Sequence, residues 1–325
     1  MSKRTKVNFY CSVISSVNYN KEGNYYSFAD IMGEHARPKE VEWIYGGGAL
    51  GCALKPINIL SEDGADITMF TEKDLLSPLV DQVTTKYKIA LILECRTIHP
   101  FVLEHTKRVE HKFDYIFTCD SELLARGPKY VHTVPAGAST AFKYEEQQIY
   151  KKTKLASILA SKKGHPTLHA TAAHGGLVGG NAIRGHRLRH IVADVIKKKG
   201  YNVDVWGRAY KPFDRHVEAL RDYYFYISII NAKEKNYFGD HPMSGFRTGT
   251  IPIFWGCPNI GDFFNEKGIL TFSTGPELID ILENISPQLY YDMFDHVQDN
   301  FQRVQKYNCI DDCIFETIKE TLKLD

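Results

Sequence analysis

The segment Asp240-His241-Pro242 combines a carboxylate, an imidazole and a proline, and it predicts the start of a helix. Proline is favoured in the first turn of a helix because it lacks the N–H group that would have no partner there. A helix N-terminus presents free N–H groups and partial positive charge, which suit a phosphate group. Arg187 and Arg189, in the preceding unit of the chain, could hold the same anion bidentately. The pattern therefore predicts a diphosphate site.

Asn231 and Tyr237 lie between the apolar run 223–230 and the predicted helix. In doubly wound sheets, ligands bind at the carboxyl ends of strands. Simpler roles compete with binding. Asn231 also suits a turn after a strand, Tyr237 also suits a core, and an arginine also suits the solvated face of a helix.

Glu94 is the candidate general base, because it ends the apolar run 88–94, which predicts a strand. A carboxylate at that end can accept a proton from a substrate hydroxyl. Arg96 or His99 could orient Glu94 or share its role. In the alternative interpretation, Glu94 pairs with Arg96 as a structural ion pair.

Three histidines in a glycine-rich stretch, His165, His169 and His174, do not predict a metal site. Their spacing is loose, and neither cysteine nor carboxylate accompanies them. Cys309 and Cys313 lie one helical turn apart, but no histidine or second cysteine pair completes a zinc site. We expect no metal and interpret the stretch as a loop that closes over a ligand.

Apolar runs alternate with helix-like segments, which predicts an α/β protein with parallel sheets. A helix is predicted over 187–200, and only helices are predicted from about 276 onwards. The pattern restarts after a lysine-rich stretch at 143–154, so we predict two doubly wound, Rossmann-like domains facing a cleft, 1–145 and 146–325. The predicted strands are 7–14, 41–45, 66–70, 88–94, 113–118, 155–161, 203–207, 223–230 and 251–256.

The composition, with 43% hydrophobic and 24% charged residues, is that of a globular protein and excludes a disordered chain. The net charge of +1 means that a local cluster, not a global field, must bind any anion. No stretch approaches the roughly 20 apolar residues that span a bilayer, and the N-terminus lacks the apolar core of a signal peptide. The seven scattered cysteines suit free thiols in a reducing cytoplasm.

The segment 223–261, YYFYISIINAKEKNYFGDHPMSGFRTGTIPIFWGCPNIG, resembles the C-terminal signature of the alpha-1,3-fucosyltransferase family. Asn231 and Tyr237 match the family's Asn and Tyr, which implies that they bind the donor, and 249–253 matches its Gly-Thr-x-Pro strand. Upstream, Arg189 is the best match to an arginine of the family. The resemblance extends over about 155–272.

One departure lies at Gly239-Asp240-His241, where the family has Thr-Glu-Lys. Asp240 keeps the carboxylate that the family uses on the ribose or sugar of the donor. His241 replaces the lysine that neutralises the leaving diphosphate, and a neutral imidazole is a weaker electrostatic partner. The activity class survives this change, whereas GDP-fucose as the donor does not follow from it.

The resemblance implies a GT-B glycosyltransferase, a hexosyl- or pentosyltransferase that moves a sugar from a nucleotide sugar to a hydroxyl acceptor such as a glycan. It implies an inverting, metal-independent reaction without a cofactor, with a donor that is GDP-linked in the family. The donor would bind in the C-terminal domain and the acceptor in the N-terminal one, where Glu94 corresponds to the family's base. Because the sequence shows no membrane stem, we expect a cytoplasmic enzyme of a bacterium or a virus. A viral enzyme would act in the cytoplasm of its host.

Three alternatives remain open from the sequence. The acceptor could be DNA carrying a hydroxymethylated base, as phage enzymes use, with lysines 151, 152, 154, 162, 163 and 197–199 along the backbone. The chain could be a non-catalytic module that binds nucleotide sugars or glycans. The third alternative is a dinucleotide-dependent oxidoreductase, because GGGALG at 46–51 fits G-x-G-x-x-G, although Pro56 interrupts the helix that should follow.

Overall fold

The computed structural model describes residues 5–10, 41–46, 67–135, 146–161, 183–307 and 310–324. The chain divides into two compact units. The first contains residues 1–136 and 309–325, and the second contains residues 137–308. In the described part of the chain, each unit is built on one sheet whose strands are all parallel.

The sheet of the first unit has the strand order β2-β1-β3-β4-β5-β6, so its order reverses between β1 and β3. Two 3₁₀ helices, Glu72–Leu76 and Pro78–Asp81, follow β3. The strands are β1 (Thr5–Tyr10), β2 (Val41–Gly46), β3 (Ile67–Thr71), β4 (Tyr87–Ile92), β5 (Tyr115–Thr118) and β6 (Tyr130–His132). The described helices are α1 (Pro100–Val109), α2 (Ser121–Leu124) and, from the end of the chain, α8 (Ile310–Leu322).

Both faces of this first sheet are covered by apolar side chains, as expected for a parallel sheet. On one face, Phe70 and Ile92 pack in a cluster with Leu103 of α1. On the other face, Ile314, Phe315 and Ile318 of α8 pack with Ile67, Met69, Ile89, Leu91 and Phe117. The sequence assigns 309–325 to the C-terminal domain. In the structure this segment belongs to the first unit, because its apolar side chains complete that core.

The sheet of the second unit has the order β11-β10-β9-β7-β8, which reverses between β9 and β7. The strands are β7 (Lys154–Leu159), β8 (Val203–Trp206), β9 (Tyr223–Ile229), β10 (Ile251–Trp255) and β11 (Leu270–Thr271). The described helices are α3 (Ile183–Lys199), α4 (Asp240–Arg247), α5 (Gly275–Asn284), α6 (Pro287–Asp292) and α7 (Phe294–Val304).

The main core of the second unit lies on β7, β9 and β10, whose inward residues include Ile158, Ile227 and Ile253. Val192 and Ile196 of α3 pack against it, as the helical pattern predicts. Ile191 lies on the side of α3 that faces solvent, and 49% of its surface is exposed.

Each strand predicted from the sequence is present in the described residues, with bounds that differ by a few residues. The predicted helix start at Asp240 is confirmed, as is the helical end of the chain. The short strand β6 and helix α1 were not predicted. The strand before GGGALG is β2, which lies at the edge of its sheet rather than at the centre, where a dinucleotide fold places its first strand. No helix in the described ranges is long and apolar enough to cross a membrane.

Candidate active site

The strand order of the second sheet reverses between β9 and β7. There the first turn of α3 lies against the end of β9. The N–H of Gly185 lies 3.3 Å from the carbonyl oxygen of Asn231, just after β9. A Cβ at Gly185 would lie 2.0 Å from the carbonyl oxygen of Ile230. Only glycine permits this approach, and the reversal of strand order is where such sheets bind ligands.

Arg189, one turn further along α3, is 3% exposed and is held by three hydrogen bonds. Its Nε donates to the carbonyl oxygen of Ile229 at 2.7 Å. One terminal nitrogen donates to Oδ1 of Asn231 at 3.2 Å, and the other lies 3.1 Å from Nδ1 of His186. Since arginine only donates, that nitrogen of His186 must be the acceptor. Burial lowers the pKa of Arg189, yet arginine stays charged in proteins, so a fixed cation lies at this strand end.

Asp240 is the first residue of α4, and its charge interacts with that of Arg189. Gly239, which caps the helix, has φ 59° and ψ −170°, a conformation essentially restricted to glycine. Burial raises the pKa of Asp240, while the charges of His216 and Arg189 oppose that shift. The carboxylate therefore lies in a half-buried position near Arg189 and His216, which suits a hydrogen bond to a ligand hydroxyl.

His241 is hydrogen-bonded to the protein in this structure. Its Nδ1 lies 2.8 Å from the hydroxyl of Tyr226, and the two rings are stacked with an angle of 10° between their planes. Burial, followed by the charges of Arg189, His216 and His186, holds the pKa of His241 well below its ordinary value. Without a ligand, His241 is therefore neutral, and a bound anion would have to overcome both burial and the charge of Arg189 to protonate it.

The other predicted site residues are divided between buried and exposed positions. Tyr237 is buried, and its charge interaction with Arg189 places it near the same strand end. Arg187 lies on the exposed side of α3, away from the buried face that carries Arg189. Lys152, one of the lysines suggested for a DNA backbone, is buried and donates to Thr250 Oγ1 and to the carbonyl oxygens of Arg221 and Thr248. It therefore has a structural role.

In the first unit, Glu94 follows β4 and is half-buried. Its main-chain N–H donates to Oε1 of Glu72 at 3.1 Å, and the N–H of Leu93 donates to the same oxygen at 2.7 Å. The other carboxylate oxygen of Glu72 lies 2.8 Å from Nδ1 of His99. The hydrogen bond to Glu72 raises the pKa of His99, burial opposes this, and the charges of Glu72 and Glu94 add to it.

Arg96 forms a bidentate ion pair with Asp120, with N–O distances of 3.1 and 2.8 Å, and a further ion pair with Glu122 at 3.2 Å. Asp120 also caps α2 by accepting the N–H of Leu123 at 2.8 Å. The guanidinium thus links the segment after β4 to the segment after β5. The role of Arg96 in orienting Glu94 or sharing its function stays a prediction.

Sequence reasoning missed Glu72, Gly185 and His216. Glu72 has φ 50°, which is rare for a residue with a side chain and costs about 1–3 kcal/mol. Such strain is frequent at functional sites, but a backbone angle is not readable from residue types. Gly185 was noted only as one glycine of a loop. His216 lies beyond β8 in sequence, and no local pattern connects it to Asp240.

Among the described residues, no group of three or more His, Cys, Asp or Glu side chains could hold a metal ion. His165, His169 and His174, and the glycine-rich stretch that contains them, lie outside the described residues.

Comparison with known proteins gives an independent assignment. Residues 180–311 match the C-terminal region of glycosyltransferase family 10, the fucosyltransferases. An alpha1,3-fucosyltransferase structure with GDP has a TM-score of 0.55 at 15% identity, covering 100% of this chain and 92% of that chain. One with GDP-fucose has a TM-score of 0.50 at 14% identity, covering 100% and 93%. A glycosyltransferase from Rickettsia africae ESF-5 has a TM-score of 0.51 at 10% identity, covering 99% and 100%. No curated protein sequence matches this chain.

At these identities the structural likeness establishes the fold, which is the GT-B fold with its two parallel α/β units. Together with the match over 180–311, the fold identifies the chain as a glycosyltransferase. Within that class, its C-terminal region is similar to that of the family 10 fucosyltransferases, which confirms the resemblance seen in the sequence.

Proposed function

We propose that the protein transfers a sugar from a nucleotide sugar to a hydroxyl acceptor and binds the donor's diphosphate at the end of β9. The buried guanidinium of Arg189 carries this proposal. It supplies a fixed positive charge where the strand order of the second sheet reverses, beside Asn231 and the N-terminus of α4. Glycosyl transfer leaves negative charge on the diphosphate, so a pre-oriented cation there lowers the barrier.

The same residues suggest roles for the rest of the donor. Asp240 can accept hydrogen bonds from ribose or sugar hydroxyls, because it lies in the first turn of α4 near Arg189. His241 and Tyr237 line the same region. For Arg187 the proposal rests on the sequence alone. GDP-fucose is the first donor to test, because an alpha1,3-fucosyltransferase of the same fold was crystallised with it.

A thermal-shift screen tests this function directly. The free nucleotides GDP, UDP, CMP and dTDP and their sugars would be compared, since a ligand at 100 times its Kd adds roughly 2.7 kcal/mol of stability. We expect one nucleotide diphosphate and its sugar to stabilise the wild type, and slow hydrolysis of that sugar to release the free nucleotide. Binding without hydrolysis would favour the non-catalytic module, and no stabilisation by any donor would contradict the proposal.

For the chemical step we propose inverting, metal-independent transfer with Glu94 as the general base. The acceptor oxygen forms a bond to the anomeric carbon, the bond from that carbon to the diphosphate breaks, and the electron pair leaves with the diphosphate. Glu94 takes the proton of the acceptor. NMR of the product anomer tests the inversion, and undiminished turnover after EDTA treatment tests the independence from metal.

Glu94→Gln should leave donor affinity unchanged and remove most turnover, because glutamine keeps the size of the side chain but accepts no proton. General-base catalysis contributes about 10²–10⁴-fold, equivalent to roughly 3–5 kcal/mol of barrier. Single-turnover rates and donor Kd, measured on one preparation, check this. A loss of melting temperature with a rate within about threefold of wild type would assign Glu94 a structural role.

We also propose, from the sequence, a cytoplasmic location in a bacterium or in the host of a virus. Fractionation of the producing cells tests it. Detection of the protein only in a membrane or secreted fraction would contradict it.

A further inference from the structure

We propose that Glu72 is a positioning residue for catalysis, whose carboxylate holds the main chain of Glu94 in place at the end of β4. The inference rests on the proposed function, in which Glu94 is the base. It concerns a residue outside both the predicted donor set and the match to the fucosyltransferases, which covers 180–311.

The geometry around Glu72 carries the inference. One carboxylate oxygen accepts the N–H groups of Leu93 and Glu94 at 2.7 and 3.1 Å. The second oxygen lies 2.8 Å from His99 Nδ1. One carboxylate thus connects the end of β3, the two residues after β4 and the residue before α1. Since both main-chain bonds end at residues 93 and 94, they fix where the Glu94 side chain leaves the strand.

The conformation of Glu72 points to the same role. Its φ of 50° is left-handed, and it is one of three residues with a side chain that have positive φ in the described part of the chain. Asn or Gly would adopt this conformation at lower cost, but only a side chain as long as Glu or Gln combines that reach with a carbonyl-type acceptor. Strained residues of this kind cluster at active sites because the surrounding contacts hold them there.

Near Glu94, the carboxylate of Glu72 has a partner of its own in His99. His99 contacts Glu72, and the hydrogen bond raises the pKa of the imidazole. On the other side, Arg96 is paired with Asp120 and Glu122. His99, once protonated, offsets the repulsion between the Glu72 and Glu94 carboxylates, and its hydrogen bond to Glu72 favours that protonation.

Strand β4 provides an internal control at its opposite end. There Asp114 Oδ2 accepts the N–H of Lys88 at 2.7 Å, so another carboxylate holds the main chain of the same strand. The hydrogen bonds that Asp114 and Glu72 accept from the main chain are all charge-assisted. Only Glu72 is bonded to the residue proposed as the base, so the two carboxylates should differ in their effect on turnover and not in their effect on stability.

The test measures single-turnover hydrolysis of GDP-fucose, its Kd and the melting temperature for Glu72→Ala, Glu72→Gln and Asp114→Ala. We expect Glu72→Ala to lower the rate by about 10²-fold, the typical cost of a misplaced catalytic group, with an unchanged donor Kd. Glu72→Gln should recover most of the rate, because its amide oxygen still accepts both N–H groups. Asp114→Ala should lose stability and keep the wild-type rate.

A second variant keeps the test decisive if Glu72→Ala does not fold. Glu72→Asp retains the charge but is one methylene shorter, so we expect at least about tenfold loss of rate with the donor Kd unchanged. NMR titration should show the pKa of His99 falling towards its ordinary value in Glu72→Gln. A wild-type rate in folded Glu72→Ala or Glu72→Asp, or a Gln variant as slow as Ala, overturns the positioning role. If wild-type protein neither binds nor hydrolyses a nucleotide sugar, the proposed function itself fails, and this inference fails with it.

Discussion

Arg189 illustrates what the structure adds to a residue that the sequence had singled out. An exposed arginine would reach a phosphate with a mobile side chain, whereas this guanidinium is already oriented by Ile229, Asn231 and His186. Less side-chain entropy is then lost when an anion binds. The same contacts make Arg189 part of the fold, so its replacement should affect both stability and binding.

Arg189→Ala should weaken GDP binding by about tenfold or more, since a charge-assisted hydrogen bond contributes about 1.5–3 kcal/mol. Stability should also fall, because the Ile229 carbonyl loses a buried donor. Calorimetric titration with GDP and thermal unfolding check the two effects. Lys198→Ala, which removes an exposed cation from the last turn of the same helix, is the control and should change neither. Unchanged GDP affinity in Arg189→Ala would contradict the phosphate role.

His241 shows where the sequence and the structure lead to different pH dependences. From the sequence, a bound diphosphate is expected to favour the imidazolium at ordinary pH. The structure instead holds the pKa well below 6.5 through burial and the charges of Arg189, His216 and His186. The window in which donor binding responds to this histidine therefore lies at lower pH than the sequence predicts.

His241 should make the unliganded protein less stable in acid. A histidine whose folded pKa is depressed contributes stability that is present above its unfolded pKa of about 6.5 and lost as pH falls below it. The loss amounts to at most about 1.4 kcal/mol per pH unit for one proton. His241→Gln should reduce this slope in denaturant unfolding between about pH 6.5 and 5. An unchanged slope would show that the imidazole protonates freely in the folded state.

At the scale of elements, the position of α3 against β9 depends on one residue without a side chain. Gly185→Ala would place a Cβ 2.0 Å from the Ile230 carbonyl oxygen and 2.7 Å from Asn231 Cα. Both are backbone atoms, so α3 must move. We expect a loss of stability and of GDP binding together, measured by thermal unfolding and calorimetry. Gly275→Ala, in the first turn of α5 with open space around its Cβ, is the control. If Gly185→Ala keeps the wild-type affinity for GDP, the position of α3 does not determine GDP binding.

The strands were predictable because the runs in β4, β9 and β10 are buried on both faces and therefore read as continuous apolar segments. The start of α4 was predictable because proline marks a first turn locally. The contacts of Glu72, by contrast, join residues 21 and 22 positions apart in the chain. His216 likewise interacts with Asp240 although the two residues are far apart in the chain. Neither leaves a spacing pattern, so sequence reasoning did not find Glu72 or His216.

At the scale of the whole molecule, the chain leaves the first unit, forms the second unit and returns with α8 to the first. The sequence could not indicate this return. The amphipathic pattern of a helix predicts that one face is buried, but it does not identify the sheet against which that face packs. Ile314, Phe315 and Ile318 would suit either sheet by composition. Only the structure shows that they cover the first sheet, on the face opposite α1.

A chain that ends at residue 307 should therefore lose the first unit and keep the second. It removes Ile314, Phe315 and Ile318, three buried side chains worth about 1.5–3 kcal/mol each, and leaves Met69, Leu91 and Phe117 uncovered on the first sheet. We expect hydrogen exchange to show loss of protection in β3, β4 and β5, with β7, β9 and β10 still protected. GDP affinity should stay near that of the full chain, because Arg189, Asn231 and Asp240 all belong to the second unit. The opposite pattern, with the first sheet protected and GDP binding lost, would show that α8 stabilises the C-terminal domain, as the sequence predicted.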